Sequence, residues 1–236
     1  MPDPRAPGVD QRAPVVLAFD TAASACSVAI GRGGMVLAHE RREMRHGHAE
    51  ALLPMIDRVT AAAGLTSANI DIVAVSVGPG GFTGIRAGLA AAQGLALAAR
   101  ARLVGITSFA AVAARVRQGN APILVALDSR RDDLYVQVFD AGGNIAVGEP
   151  TAILPGQLGH VVGDGPLRIA GDAAESAVAA LAGRDNTEII AGSAPDALGV
   201  LAAARHEGFQ SAARPLYLRP PDVSFPKARR SSAGAI

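Results

Sequence analysis

Two aspartates close apolar runs of the same design: Val16-Leu17-Ala18-Phe19-Asp20, followed by Thr21, and Leu124-Val125-Ala126-Leu127-Asp128, followed by Ser129. Carboxylates at the ends of two such strands can face each other across a cleft. There they would serve an ATP- or metal-dependent hydrolase or kinase. The second chemical feature is Gly78-Pro79-Gly80-Gly81-Phe82-Thr83-Gly84-Ile85-Arg86. Bare backbone N–H groups at a helix start attract phosphate; the bland alternative is a tight turn that seats the helix. There is no Gly-Lys-Ser/Thr and no G-x-G-x-x-G after the strand, which favours the turn. His46 and His48 share a face only in an extended segment, where a weak metal site is conceivable. The helix-start signals favour His48 as a cap or first-turn residue. His39, His160 and His206 are isolated, and no Ser/His/Asp order with a nucleophile elbow is present. The lone Cys26 lies in a strand pattern and reads as a buried structural thiol.

The elements around these residues follow from periodicity. Ile70 to Val75 is a β-branched strand leading into the glycine loop, and Ile85 to Arg100 is an Ala/Leu-rich helix with Thr83 as its N-cap. Gly84, Gly88 and Ala92 recur every fourth residue as one smooth stripe. Gly88 and Gly94 each cost about 1 kcal/mol against Ala inside a helix. A close-packed helix pair is therefore expected here, with the partner in this chain or another. Arg86 sits in the first turn, where the macrodipole disfavours a cation by about 0.3–1 kcal/mol. A solvated side chain is the plain reading; a carboxylate or phosphate at a subunit seam is the sharper one. Upstream, Ala49 to Ala63 forms a helix with Leu52, Ile56 and Val59 on one face and a kink expected at Pro54.

The chain repeats itself. Val15–Asp20, Ala25–Ile30 and Met35–Glu40, turned by Gly33-Gly34, form a three-stranded meander. Ile123–Asp128, Leu134–Phe139 and Asn144–Val147, turned by Gly142-Gly143, repeat it. Short strands follow at Leu103–Ile106, Leu167–Ala170 and Glu188–Ile190, with helices at Ser108–Arg117, Val178–Leu181 and from Pro195-Asp196 through Ala204.

With 236 residues, 50% hydrophobic and 18% charged, the chain is one large or two small globular domains. A net charge of +1 argues neither for nor against nucleic acid. Aromatic residues are 3% and Trp is absent, so base-stacking platforms are not expected. The Pro-rich start reads as a loose tail, no apolar run spans a bilayer, and the expected compartment is the cytoplasm. The closing Lys227, Arg229 and Arg230 read as a solvated terminus, with RNA contact as the alternative.

Duplicated meanders followed by helices resemble the actin-like, ribonuclease H-like (ASKHA) α/β architecture, in which ATP lies between the halves. Here the loops after Asp20 and Asp128 keep the acid and lose the glycines, and Gly171-Asp172 would place a carboxylate near a nucleotide, so the cleft reads as vestigial. More specifically, Leu17–Ala22, Cys26–Ala29, His48–Pro54, Gly78–Arg86, Leu127–Arg130 with Tyr135, and Pro215–Arg219 resemble the TsaB (YeaZ) family from about Val15 to Arg219. The resemblance implies a non-catalytic dimerisation subunit that supports TsaD in making threonylcarbamoyladenosine on tRNA. TsaE joins the full complex, and the chain alone forms a homodimer. It implies indirect contact with tRNA, no cofactor on this chain, and threonylcarbamoyl-AMP and ATP used by the complex. Leu52, Leu53, Ile56, Gly84, Arg86, Gly88 and Ala92 would form the partner surface, and replacing Gly88 by a bulky residue would abolish pairing while sparing the monomer. Asp20, Thr21 and Asp128 would be cleft remnants. An older family label, glycoprotease-like, implies an independent metal- or ATP-dependent hydrolase. The related TsaD carries a His-x-x-x-His pair where this chain has Gly105-Ile106-Thr107-Ser108-Phe109-Ala110-Ala111-Val112, with neither histidine nor carboxylate. Metal catalysis at that place is excluded. The duplication divides the chain into a tail (1–14), a first subdomain (15–106, completed by a helix at 196–208), a reduced second subdomain (107–195) and a mobile basic tail (219–236).

Overall fold

Val15–Asp20 (β1) is apolar on both faces because it is covered on both: all six residues are buried. Ala25–Arg32 (β2) pairs with it antiparallel, and Met35–Glu43 (β3) continues the meander at the edge. Ile72–Gly78 (β4) joins β1 in parallel, and Arg102–Thr107 (β5) completes a sheet of order β3-β2-β1-β4-β5. The computed structural model describes residues 12–44, 46–116 and 119–219. The start of the N-terminal tail, and Lys227, Arg229 and Arg230 of the basic tail, lie outside them.

Ile123–Asp128 (β6), Leu134–Phe139 (β7), Thr151–Ile153 (β8), Leu167–Ala170 (β9) and Thr187–Ile189 (β10) form a second sheet, β8-β7-β6-β9-β10. That order is the first sheet's order repeated, so the duplication holds at the level of topology and the fold is actin-like. One strand of the repeat is displaced. The expected return at Asn144–Val147 makes only an isolated bridge, Phe139 to Ala146, and the third strand forms later, with Leu134 opposite Ile153. Asp140 redirects the chain: its Oδ1 accepts from the Asn144 and Ile145 amides at 2.7 and 2.9 Å.

Helices fill three layers. His48–Ala62 (α1) and Phe82–Ala99 (α2) cover the outer face of the first sheet, enclosing Leu17, Phe19, Leu52, Met55, Val75 and Ile85. Pro54 sits exposed within α1 without ending it. Ser108–Arg115 (α3) and Ala197–Ala203 (α5) lie between the sheets in the largest core, with Phe109, Val125, Val200 and Leu201. Here is the close-packed helix pair: a Cβ on Gly199 would stand 2.4 Å from the Ala111 carbonyl oxygen. Ala174–Ala180 (α4) covers the far face of the second sheet with a 3-10 segment, Pro155–His160, in the place that α1 occupies in the first copy. Asp196 caps α5, accepting from Gly199 N at 2.8 Å, and pairs with Arg115. The Ser27 hydroxyl accepts from Ala197 N at 2.9 Å, tying α5 to the first sheet. Among the described residues no helix is long and apolar enough to cross a membrane.

Candidate functional site

β1 delivers Asp20 to the point where the first sheet meets the glycine loop, and the structure buries it fully. Its Oδ1 accepts from Ala23 N at 3.1 Å. Burial pushes its pKa up to about 6; the Ser76 hydroxyl beside it and the Ala23 amide offset part of this, and Asp196 adds to it. Asp20 Oδ2 and Ser76 Oγ nonetheless have no partner that meets hydrogen-bond geometry. Asp20 is thus a buried carboxyl beneath the cleft floor. The cavity of about 250 Å³ between the two halves is lined by Asp128 and Asp172, with Ala22, Gly80 and Arg130, and not by Asp20. The expected pair of cleft aspartates is not assembled.

Thr21 also faces away from the cleft. Its hydroxyl donates to the Gly84 carbonyl at 2.8 Å, which explains the glycine stripe. A Cβ on Gly84 would lie 1.9 Å from the Thr21 carbonyl oxygen, and one on Gly88 would lie 2.4 Å from Thr21 Oγ1. Ala92 is fully buried in the same core. The stripe glycines Gly84 and Gly88 therefore seat α2 on its own β1–β2 turn, and among the described residues what meets a Cβ on either is Thr21, Ala22 or Val75 and not a helix. That corrects the stripe's assignment to a partner surface. The smooth stripe is real, but a one-dimensional sequence shows only that some backbone comes close. Leu52 and Ile56 are corrected likewise, being buried beneath α1, whereas Leu53 is 50% exposed.

The glycine loop is a packed turn. Gly81 N donates to the Ala22 carbonyl at 2.8 Å, and Leu216 N donates to Val77 O at 2.8 Å. α2 starts at Phe82 with Gly81 as the N-cap residue, so Thr83 lies within the first turn and does not cap it. Arg86 finds partners inside the chain: its guanidinium lies 3.7 Å from the Phe82 ring centroid, and Nε donates to the Tyr217 hydroxyl at 3.1 Å. His48 is the first residue of α1, after Gly47. Burial holds its pKa below the usual histidine range.

Beyond its first turn and Arg86, α2 exposes Ala90, Gln93, Gly94, Leu97 and Ala98, with Leu97 82% exposed; among the described residues Gly94 has no neighbour within 4 Å of where a Cβ would stand. The second cluster that sequence reasoning missed surrounds Arg130. An Asx turn, Arg130 N to Asp128 Oδ1 at 2.7 Å, holds Arg130 at φ 61°, where it lines the cleft and two adjoining cavities. On the cleft side, Asp172 Oδ1 accepts from Asp128 N at 2.9 Å, and burial raises the Asp172 pKa. A cleft walled by two carboxylates repels phosphate. Among the described residues no group of three or more His, Cys, Asp or Glu could hold a metal ion.

The sequence model of the family described as TsaD, tRNA N6-adenosine threonylcarbamoyltransferase, matches residues 36–208. The tRNA threonylcarbamoyladenosine biosynthesis protein TsaB of Escherichia coli is 36% identical over 149 residues, 61% of this chain and 64% of that protein. YeaZ from Pseudomonas aeruginosa superposes with a TM-score of 0.74 at 26% identity, covering 87% of this chain and all of that one. The chain belongs to the TsaB (YeaZ) family. An uncharacterized protein of Mycobacterium tuberculosis, 33% identical over 213 residues, covers 88% of this TsaB-family chain and 93% of its own length. The match to the Escherichia coli TsaB spans less than two thirds of that protein. In this TsaB-family chain Gly105–Val112, where the resemblance to TsaD implies a histidine pair in that relative, spans the end of β5 and the start of α3. There Thr107 caps the helix, accepting from Ala110 N at 3.0 Å, and Phe109, Ala110 and Ala111 are buried in the core.

Proposed function

We propose that this chain is the non-catalytic dimerisation subunit of a tRNA threonylcarbamoyladenosine synthesis complex, docking a TsaD-type chain on the outward face of α1 and α2. The observation that carries this is Gly94. It lies within an 18-residue helix, exposed, with no neighbour among the described residues near a Cβ. Glycine there costs about 1 kcal/mol of helix stability, and no contact among the described residues offsets it. Close approach by a helix of another chain does, since small residues let two backbones meet. Leu97 and Leu53 flank it as exposed apolar anchors.

A chain of the same duplicated fold offers matching helices, which is why a TsaD-type chain is the named occupant. The same face serves a homodimer when that partner is absent. The buried stripe of Gly84, Gly88 and Ala92 supports the face from beneath without belonging to it. TsaE, threonylcarbamoyl-AMP and ATP belong to the complex and are not held by this chain; the carboxylates of Asp128 and Asp172 in the cleft support that. The core-packed start of α3 supports a role without metal catalysis.

Co-expression with the TsaD-type chain of the same organism tests the proposal. Leu97→Asp is expected to abolish co-purification while leaving the melting temperature of the monomer, read at low protein concentration, unchanged. Retention of the partner by both Leu97→Asp and Gly94→Leu would place the interface elsewhere.

A further inference from the structure

Both tyrosines of the chain, and one of its six phenylalanines, line a single cavity. This cavity of about 260 Å³ is walled by Phe82, Tyr135, Tyr217, Arg130, Arg131 and Arg219 and by no carboxylate. It adjoins a larger one of about 480 Å³, with which it shares Gly81, Phe82 and Arg130; His46, His48 and the carboxylate of Glu50 line the far side, so the anion-binding end is the arginine side. The two make one trough across the mouth of the molecule. From this juxtaposition of arginines and aromatic rings we propose that the trough binds single-stranded RNA, with phosphates at Arg130 and Arg131 and a base against Tyr217.

The placement of charge argues for a strand on this side and not in the cleft. Among the described residues the Arg130 side chain makes no hydrogen bond or ion pair; it lies in the field of Asp172, whose carboxyl it helps to ionise, and it lines both cavities of the trough. Asp128 and Asp172 sit on the opposite side of Arg130, and would direct a polyanion outward into the trough. Arg219 is committed to the buried carboxylate of Asp133, and Arg86 to Phe82 and Tyr217, so these two hold the wall rigid. Phe82 and Tyr217 stand with centroids 5.1 Å apart, and 38% of Tyr217 is exposed. Arginine for the backbone and a ring for the base is the pairing that single-strand sites use. The composition argued against such a platform; the fold gathers the few rings the chain has. The trough extends past one nucleotide, which favours a strand over free ATP. Choosing RNA over DNA rests on the proposed role in tRNA modification. The binding itself does not depend on TsaD.

The test is fluorescence anisotropy of the full chain with a labelled single-stranded RNA oligonucleotide, across a salt series. Arg130→Glu/Arg131→Glu is expected to weaken binding at least about tenfold. It should also flatten the log–log salt slope by about 1.4, at about 0.7 for each phosphate left without its arginine. Tyr217→Ala is expected to weaken binding at least about fivefold with the salt slope unchanged. All three positions are at the surface, and an unchanged melting temperature shows that the variants are folded. Co-purification with the TsaD-type chain should survive the double variant, because neither arginine is on α1 or α2. No RNA binding by the unaltered chain, binding indifferent to the double variant, or binding lost only on deleting residues 227–236 would each overturn the trough. So would ATP displacing the strand at equimolar concentration. Loss of the TsaD-type chain with RNA affinity intact would show the arginines to be a protein-binding patch and overturn it as well.

Discussion

Gly84 and Gly94 lie ten residues apart on one helix, and the structure assigns them opposite responses to the same change. A methyl group on Gly84 would meet the Thr21 carbonyl oxygen at 1.9 Å. The obstacle is backbone at the end of the central strand, so it cannot rotate aside. Overpacking of this kind costs about 3 kcal/mol, and the Thr21 Oγ1 to Gly84 O bond, worth about 1 kcal/mol, is strained with it. Against this stands the gain in helix propensity from glycine to alanine, about 1 kcal/mol. The net for Gly84→Ala is a loss of about 3 kcal/mol. At about 2–4 °C per kcal/mol for a chain of this size, the midpoint falls by about 6–12 °C. In the monomer Gly94→Ala meets nothing within 4 Å among the described residues and keeps only the propensity gain, so at a concentration low enough to keep the chain monomeric its midpoint rises by about 2–4 °C. Circular dichroism melts of the two variants at one protein concentration read both signs. A Gly84→Ala protein as stable as the parent would refute the claim that the stripe is seated on Thr21. It would also return the stripe to the role of a partner surface.

Asp20 gives a pH test. Its carboxyl rises from 3.8 to about 6 on folding, so the folded chain binds the proton more tightly than the unfolded one. That contribution is complete below pH 3.8 and is lost as pH rises towards 6. Above pH 6 the buried anion costs up to about 3 kcal/mol. Asp20→Asn keeps an acceptor for Ala23 N and should therefore stabilise the chain at about pH 8 and change little at about pH 3.5, below the unfolded pKa, as denaturant midpoints would show; equal effects at both would contradict a buried Asp20 that folds in its protonated form. At the start of α5, Asp196→Ala removes the bond from Gly199 N and the Arg115 partner together. A loss of about 1–2 kcal/mol is expected in urea unfolding, and no loss would mean that the cap is idle.

Local pattern sufficed wherever one strand's own residues decide its burial. β1, β6, β7 and β9 begin and end where alternation and apolar runs put them, and the internal repeat carried the topology of both sheets. β8 was misplaced because Asp140 captures two amides beyond the glycine turn, a side-chain choice that periodicity does not register. The glycine stripe was legible as a close approach and illegible as to what approaches, since Thr21 is 63 residues from Gly84. Gly94, read in sequence with Gly88 as a costly glycine that calls for a close backbone, is the one that nothing among the described residues explains. Arg130 escaped notice because its trough is assembled from residues 79–82, 129–135 and 216–219. The only signal along the chain was the loss of glycines after Asp128, where arginines stand instead.

The tie between Ala197 and Ser27 spans 170 positions. Through it, a helix made near the end of translation closes a core begun by the first strand. α3 covers part of that face earlier, but the cover that α5 gives to β1 and β2, over Val16, Ala18 and Ala29, is complete only when residues 197–203 have left the ribosome. A gene split after the first sheet would therefore yield an N-terminal half with an open greasy face, recoverable only when the C-terminal half is supplied alongside it.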